Sequence, residues 1–401
     1  MRSRSLGLML IASMLAGCPS GENGGGFVLP GFTTPSKPTP TPSGSTAYPT
    51  VRPTAGPSPT PTPQPIPSYA GVEIAGGNPT NAWLLSEPMS TLRAGLSALP
   101  RDGKIIAFEG DGFSTIEEYV PSARMWTAKQ FGASSRYFAV AGILNGKLYE
   151  AGGNNGQYDL WDVREYDFAT GSSKILKNAY LPTLPGVHDA EAPTADVCER
   201  SHAGGGVLLI DNRQALCIAG GEVGNALVAG RVQRAVLIQF ATYFPPTQEK
   251  PDGEWILAPD LPLSRSAMGA AVVDNRLYLL GGYTSDESGN LSLLSSMIRF
   301  DAFQWQWTPM ASMSKPRHSF MTAVLNGKIY AIGGAGADNT VLRDVEEYDP
   351  ATNRWRTLAP MPTARAMGAA VALNDRIYVL GGYTLDAGLM KPLRTVEVLF
   401  P

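Results

Sequence analysis

The stretch Arg317-His318-Ser319-Phe320-Met321-Thr322-Ala323-Val324-Leu325-Asn326-Gly327-Lys328-Ile329-Tyr330-Ala331-Ile332-Gly333-Gly334 decides the fold. Two apolar runs flank Asn326-Gly327, a dipeptide suited to the tight turn of a β-hairpin. The second run ends in Gly-Gly, which tolerates positive φ and lets another backbone approach closely. Sixteen residues separate Arg317 from Gly333, and the same offset separates Arg136 from Gly152, Arg265 from Gly281 and Arg365 from Gly381. From Arg93 the offset lands on Glu109-Gly110, a degenerate copy; Arg200 precedes Gly220-Gly221 by twenty residues, a copy with a small insertion. Six copies of one hairpin-based unit predict a repeat architecture in which each unit buries its apolar faces against its neighbours.

Each unit has a second half, clearest in Asp344-Val345-Glu346-Glu347-Tyr348-Asp349-Pro350 with Trp355 seven residues after Tyr348. Tyr119 to Trp126 and Phe300 to Trp307 repeat that interval; Ser173 takes the tryptophan position in the second unit, and Trp255 comes late in the third. The whole pattern resembles the kelch repeat: an Arg-led first strand, an apolar strand ending in Gly-Gly, a Tyr-Asp-Pro strand end and a Trp on the last strand. The resemblance implies an all-β, six-bladed kelch-type β-propeller over residues 71–401, with four strands per blade. The sixth unit reaches Phe400-Pro401 with no fourth strand. Asn81-Ala82-Trp83 and Pro88-Met89 match Asn353-Arg354-Trp355 and Pro360-Met361, so the N-terminal strand around Trp83 is expected to complete the last blade.

Composition agrees, since 44 Gly and 33 Pro in 401 residues favour a turn-dense β chain over helices. A net charge of −3 with 17% charged residues gives no reason to expect nucleic acid as a partner. Arg2 and Arg4 precede a short apolar run from Leu6 to Leu15, the layout of a secretory signal. Leu15-Ala16-Gly17-Cys18 resembles the lipobox of bacterial lipoproteins. That resemblance implies a signal peptide over 1–17, a lipid on Cys18, and an exported protein anchored to the bacterial cell envelope, at the outer membrane or cell surface. Residues 18–70 are rich in Pro, Thr and Ser, as in Pro57-Ser58-Pro59-Thr60-Pro61, and read as a disordered tether with no core.

Antiparallel strands put the start of each blade's first strand, the loop after Gly-Gly and the link between blades on one face. That face is expected to carry Arg93, Arg136, Arg265, Arg317 and Arg365, with Asn154, Glu222, Tyr283 and Tyr383 just after the glycines. As a ligand surface it suits carbohydrate, carboxylate or peptide, because Arg offers a planar fork and Tyr a stacking plate. As structure, the same arginines brace blade loops through carbonyls; both readings stand at this point. Kelch propellers outside the cell include binding modules, a sialic-acid mutarotase and copper radical oxidases resembling galactose oxidase. The resemblance therefore implies a glycan-, peptide- or protein-binding module first. A carbohydrate-active enzyme using Glu222 with Arg265 or Arg317 is the alternative.

Only His188, His202 and His318 exist, without paired spacing, and no calcium-loop spacing surrounds Asp189, Glu191, Asp286 or Glu287; neither a metal nor a cofactor is expected. A monomer is expected. Cys198 and Cys217 are a candidate disulfide in an exported protein; the alternative is a core thiol and a free loop thiol.

Overall fold

A computed structural model describes residues 80–401, except 111–113, 131–134, 157–158, 177–178, 183–187, 190–199, 229–230, 287–288 and 339, and the side chains of 188–189, 224–228 and 231–235. Cys18, the signal, the tether and Cys198 lie outside the described residues. Among those described, six four-stranded antiparallel sheets follow one another along the chain. No helix among them is long and apolar enough to cross a membrane.

Blade 5 shows the plan. Its strands run Met321–Leu325, Lys328–Ile332, Val345–Asp349 and Arg354–Leu358, paired in that order from the centre outwards. The innermost strand alternates buried and half-buried positions, because one side packs on its blade while the other faces the central channel. The second strand is buried at four consecutive positions, being covered on both faces by neighbouring blades. This is why its sequence reads as a continuous apolar run rather than an alternating one.

The Gly-Gly pairs form the seam between blades. In every blade the second residue of the pair donates its N–H to the carbonyl of the next blade's leading arginine: Gly110 to Arg136, Gly153 to Arg200, Gly221 to Arg265, Gly282 to Arg317, Gly334 to Arg365 and Gly382 to Arg93. The first glycine has no room for a side chain. A Cβ on Gly333, at φ +62°, would sit 2.5 Å from the Arg365 carbonyl oxygen and 2.7 Å from the Met361 methyl.

The last blade is built from both ends of the domain. Its inner strands are Ala369–Leu373, Arg376–Leu380 and Val396–Phe400, and the strand Ala82–Ser86 pairs antiparallel with the third, Trp83 opposite Leu399. Trp83 Nε1 donates to the Ala359 carbonyl at 2.9 Å, as Trp355 does to Ala311 and Trp307 to Pro259, both at 2.8 Å. Each indole thus pins a blade's outer strand to the blade before it. Asn81 repeats the role of Asn353, its side-chain oxygen accepting the Ala359 N–H at 2.8 Å.

The two faces of the ring differ. On one, the first two strands of every blade are joined by two-residue turns, such as Asn145-Gly146 and Asp274-Asn275. On the other, the connection between second and third strands grows into hairpins in blades 3, 4 and 6: Glu222–Val228 with Arg231–Val236, Tyr283–Ser285 with Leu291–Leu293, and Tyr383–Asp386 with Leu389–Pro392. In blade 3 the strand His188–Asp189 adds to that hairpin.

Candidate functional site at the channel mouth

The leading arginines sit on the hairpin face but not on its surface. Arg93, Arg136, Arg265, Arg317 and Arg365 are each at most 1% exposed. Their side chains turn into their own blades. Arg265 Nη1 donates to the Gly281 and Ser296 carbonyls at 2.9 Å, and Arg365 Nη1 to the Gly381 carbonyl at 3.0 Å. The sixteen-residue offset is therefore the reach from an arginine to the carbonyl of its own blade's first glycine position, and Arg93 meets Glu109 in the same way at 2.6 Å. A second group completes each brace: Glu117 for Arg93, Asp162 for Arg136, Ser296 for Arg265, Glu346 for Arg317 and Glu397 for Arg365. Burial pulls Arg265 down to about 10. Of the two readings of these arginines, the geometry is that of the brace.

The mouth of the channel is lined by other residues. Two positions after each leading arginine stand Gly95, Phe138, His202, Ala267, Ser319 and Met367, all left-handed with φ between +50° and +66°. Five of the six donate their N–H to the carbonyl of the counterpart in the preceding blade around the opening: Gly95 to Met367, Phe138 to Gly95, Ala267 to His202, Ser319 to Ala267 and Met367 to Ser319, at 2.8–3.1 Å. Glycine is the residue of least strain at such a position; each side chain placed there costs on the order of 1 kcal/mol.

Within the ring is a dimple of about 110 Å³, walled by these residues with Leu96, Met268, Phe320 and Gly368. It opens onto the central channel, about 600 Å³, whose wall is the six innermost strands. Small apolar side chains such as Ala98, Ala141, Ala270 and Ala370 dominate that wall, and none of its residues is an acid or a base.

The residue after each Gly-Gly bridges back to the residue after the leading arginine: Asn154 to Tyr137, Glu222 to Ser201, Tyr283 to Ser266, Ala335 to His318 and Tyr383 to Ala366. This pairing gathers a polar network beneath one side of the mouth. His202 Nδ1 lies 3.3 Å from Glu222 Oε1 and 3.0 Å from Ser201 Oγ. Glu222 also accepts from the Tyr283 hydroxyl and, at 3.2 Å, from Ser266 Oγ. Asn154 Nδ2 donates to Asp159 at 2.9 Å; burial, aided by the nearby Glu222 charge, raises the Asp159 carboxyl against the lowering effect of that hydrogen bond. Tyr283 meets His318 edge-on, with ring centroids 5.8 Å apart. Burial, with a smaller contribution from His202, pushes His318 down to about 4, so it is neutral at physiological pH.

The sequence-derived set thus divides. Asn154, Glu222 and Tyr283 come together; Tyr383 packs with Ala94, Ala335, Ala366 and Met367; the arginines lie buried in braces within their own blades. Phe138, Asp159, Ser201, His202 and His318 join this network without a place in the sequence-derived set. The signal for the first and fourth of these is the column two residues after the leading arginine. Among the described residues no group of three or more His, Cys, Asp or Glu could hold a metal. Cys217 is buried, its thiol 4.0 Å from the Ala215 carbonyl, while Cys198 lies outside the described residues.

Six four-stranded blades, sealed by Gly-Gly to arginine hydrogen bonds and closed by the N-terminal strand, define a kelch-type β-propeller, a ligand-binding scaffold. Residues 191–382 match the KLHDC2/KLHL20/DRC7 Kelch-repeats domain. Human Kelch-like protein 30 is 29% identical over 175 residues, 43% of this chain and 28% of that protein. Human Kelch-like protein 15 is 36% identical over 102 residues, 25% of this chain and 16% of that protein. The chain therefore spans less than a third of the length of these relatives. The solved structure of YjhT superposes with a TM-score of 0.59 at 15% identity, over 78% of this chain and 95% of YjhT, a likeness of fold.

Proposed function

We propose that the protein is an envelope-displayed binding module whose hairpin-bearing face holds a glycan, peptide or protein ligand. The asymmetry between the faces carries this reading. Hairpins in three blades rise around the channel mouth, whereas tight turns close the first hairpin of every blade on the opposite face. Side chains on projecting loops over a rigid ring are where propellers gain specificity at little structural cost. Arg265 and Arg317, which the carbohydrate-active alternative would pair with Glu222, are buried in braces of their own blades, which favours binding over that alternative. Asn154, Glu222 and Tyr283 belong to this reading as support beneath the mouth, and the braces of the arginines hold the loops in place.

Glycan and peptide arrays probed with the purified chain test it. Lys391→Glu and Asp286→Lys, on two different hairpins, should weaken a captured ligand at least tenfold without altering the melting temperature. Equal weakening by Lys104→Glu on the opposite face would overturn the assignment of the face. Lipidation at Cys18 is the second part of the proposal, supported by the lipobox-like Leu15-Ala16-Gly17-Cys18. Cys18→Ala should move the protein from membrane to soluble fractions; retention on membranes would sink the anchor.

A further inference from the structure

His202 is held on two sides. Phe138 stacks on its ring face, with centroids 3.9 Å apart and planes 24° from parallel. Its Nδ1 edge meets Glu222 Oε1 and Ser201 Oγ, and Glu222 is itself fixed by Tyr283 and Ser266. Oxygen acceptors at Nδ1 draw the imidazole proton to that nitrogen, so the neutral ring carries its lone pair on Nε2. Nδ1 is turned to the buried carboxylate, which leaves the Nε2 edge for the dimple that His202 lines. Blades 2 and 3 place Phe138 and His202 at a left-handed position where blade 1 has Gly95, so the ring closes without side chains of this kind.

We propose that this dimple is a subsite for the phenol of a tyrosine side chain on a peptide or protein ligand, with His202 Nε2 accepting its hydroxyl. This rests on the reading of the hairpin face as the ligand face. The chemistry selects the occupant. Phe138, Phe320, Met268 and Met367 give ring and thioether walls suited to an aromatic ring. The volume of about 110 Å³ is on the scale of the ~150 Å³ apolar cavity that takes benzene. Glu222 and Asp159 beneath the dimple disfavour a carboxylate or phosphate there, whereas a neutral hydroxyl supplies the one donor His202 lacks. Glu222 is a positioning residue in this scheme; His202 makes the contact.

Titration of the full chain with p-cresol and with toluene, followed by calorimetry and by the imidazole ¹⁵N resonances of His202, tests the proposal. Cresol should bind at least tenfold more tightly than toluene and move the Nε2 resonance, which in the free protein should be that of an unprotonated nitrogen. His202→Phe should remove the preference for cresol, and Glu222→Gln should reduce it by releasing the tautomer. Equal affinities, no binding of either probe, or a proton on Nε2 in the free protein would each overturn the proposal. These wild-type measurements decide even if His202→Phe does not fold. The cresol titration reads the dimple alone and the hairpin variants read the face alone, so failure of one is distinguishable from failure of the other.

Discussion

Gly382 donates its N–H to the carbonyl of Arg93 at 2.7 Å, joining the last blade to the first across the point where the ring closes. The link has the same donor and acceptor positions as the five other seams, so closure is made by the repeat's own chemistry rather than by a special device. A Cβ on Gly381 would meet the Arg93 oxygen at 2.4 Å, and one on Gly382 the Ala366 oxygen at 2.5 Å, both at positive φ. Gly381→Ala and Gly382→Ala should each destabilise by about 2 kcal/mol or more, because rigid backbone must move. Gly327→Ala, also at positive φ but with nothing within 4 Å of the new methyl, should cost only about 1 kcal/mol. Urea unfolding of the three variants decides it.

Trp83 is the clasp of the ring. Truncation to alanine removes a buried indole and its hydrogen bond to Ala359, a loss of about 3 kcal/mol or more. Deleting residues 71–90 removes the whole strand and leaves Val396–Phe400 as an open edge. Calorimetry of the deletion should show no cooperative transition. A melting profile like that of the intact chain would refute the clasp.

The pairing of Arg317 with Glu346 separates a brace from a ligand contact. The side chains are 0% and 3% exposed, and removing one partner leaves a buried charge without its counterpart. Glu346→Gln and Arg317→Met should each lower stability by about 3 kcal/mol. In a double-mutant cycle the pair should show strong coupling, because the second substitution removes the orphaned charge. Loss of ligand capture with stability unchanged would return Arg317 to the ligand surface.

Acid should weaken the fold through His318. Its folded-state pKa of about 4 lies below the ordinary value of 6.5, with burial the main cause, so the unfolded chain binds the extra proton first. The stabilising contribution is present above pH 6.5 and is lost as pH falls through that value towards 4. The full loss is about 3 kcal/mol. Chemical denaturation from pH 7 to pH 4 should show this decline, and His318→Gln should flatten it. An unchanged slope in the variant would place the acid sensitivity elsewhere.

The repeat, the number of blades and the closing strand were all determined by the sequence itself. They follow from local pattern: apolar runs, tight turns, Gly-Gly and a tryptophan at fixed spacing. Even the clasp was legible, because Asn81-Ala82-Trp83 copies Asn353-Arg354-Trp355 and strand pairing follows such registers.

Only the tertiary structure decided where the conspicuous residues point. Spacing shows that an arginine accompanies each Gly-Gly, but the backbone at the loop sets the direction of its side chain. Here that direction runs inward, to the Gly281, Gly333 and Gly381 carbonyls. Likewise, Asp159, Ser201, Glu222, Tyr283 and His318 come from blades 2 to 5. Closure of the ring brings them to one side of the mouth, and no single repeat contains enough of them to be recognised. His202 owes its place there to a left-handed backbone position and its orientation to Glu222 and Phe138, contacts that exist only once neighbouring blades have packed.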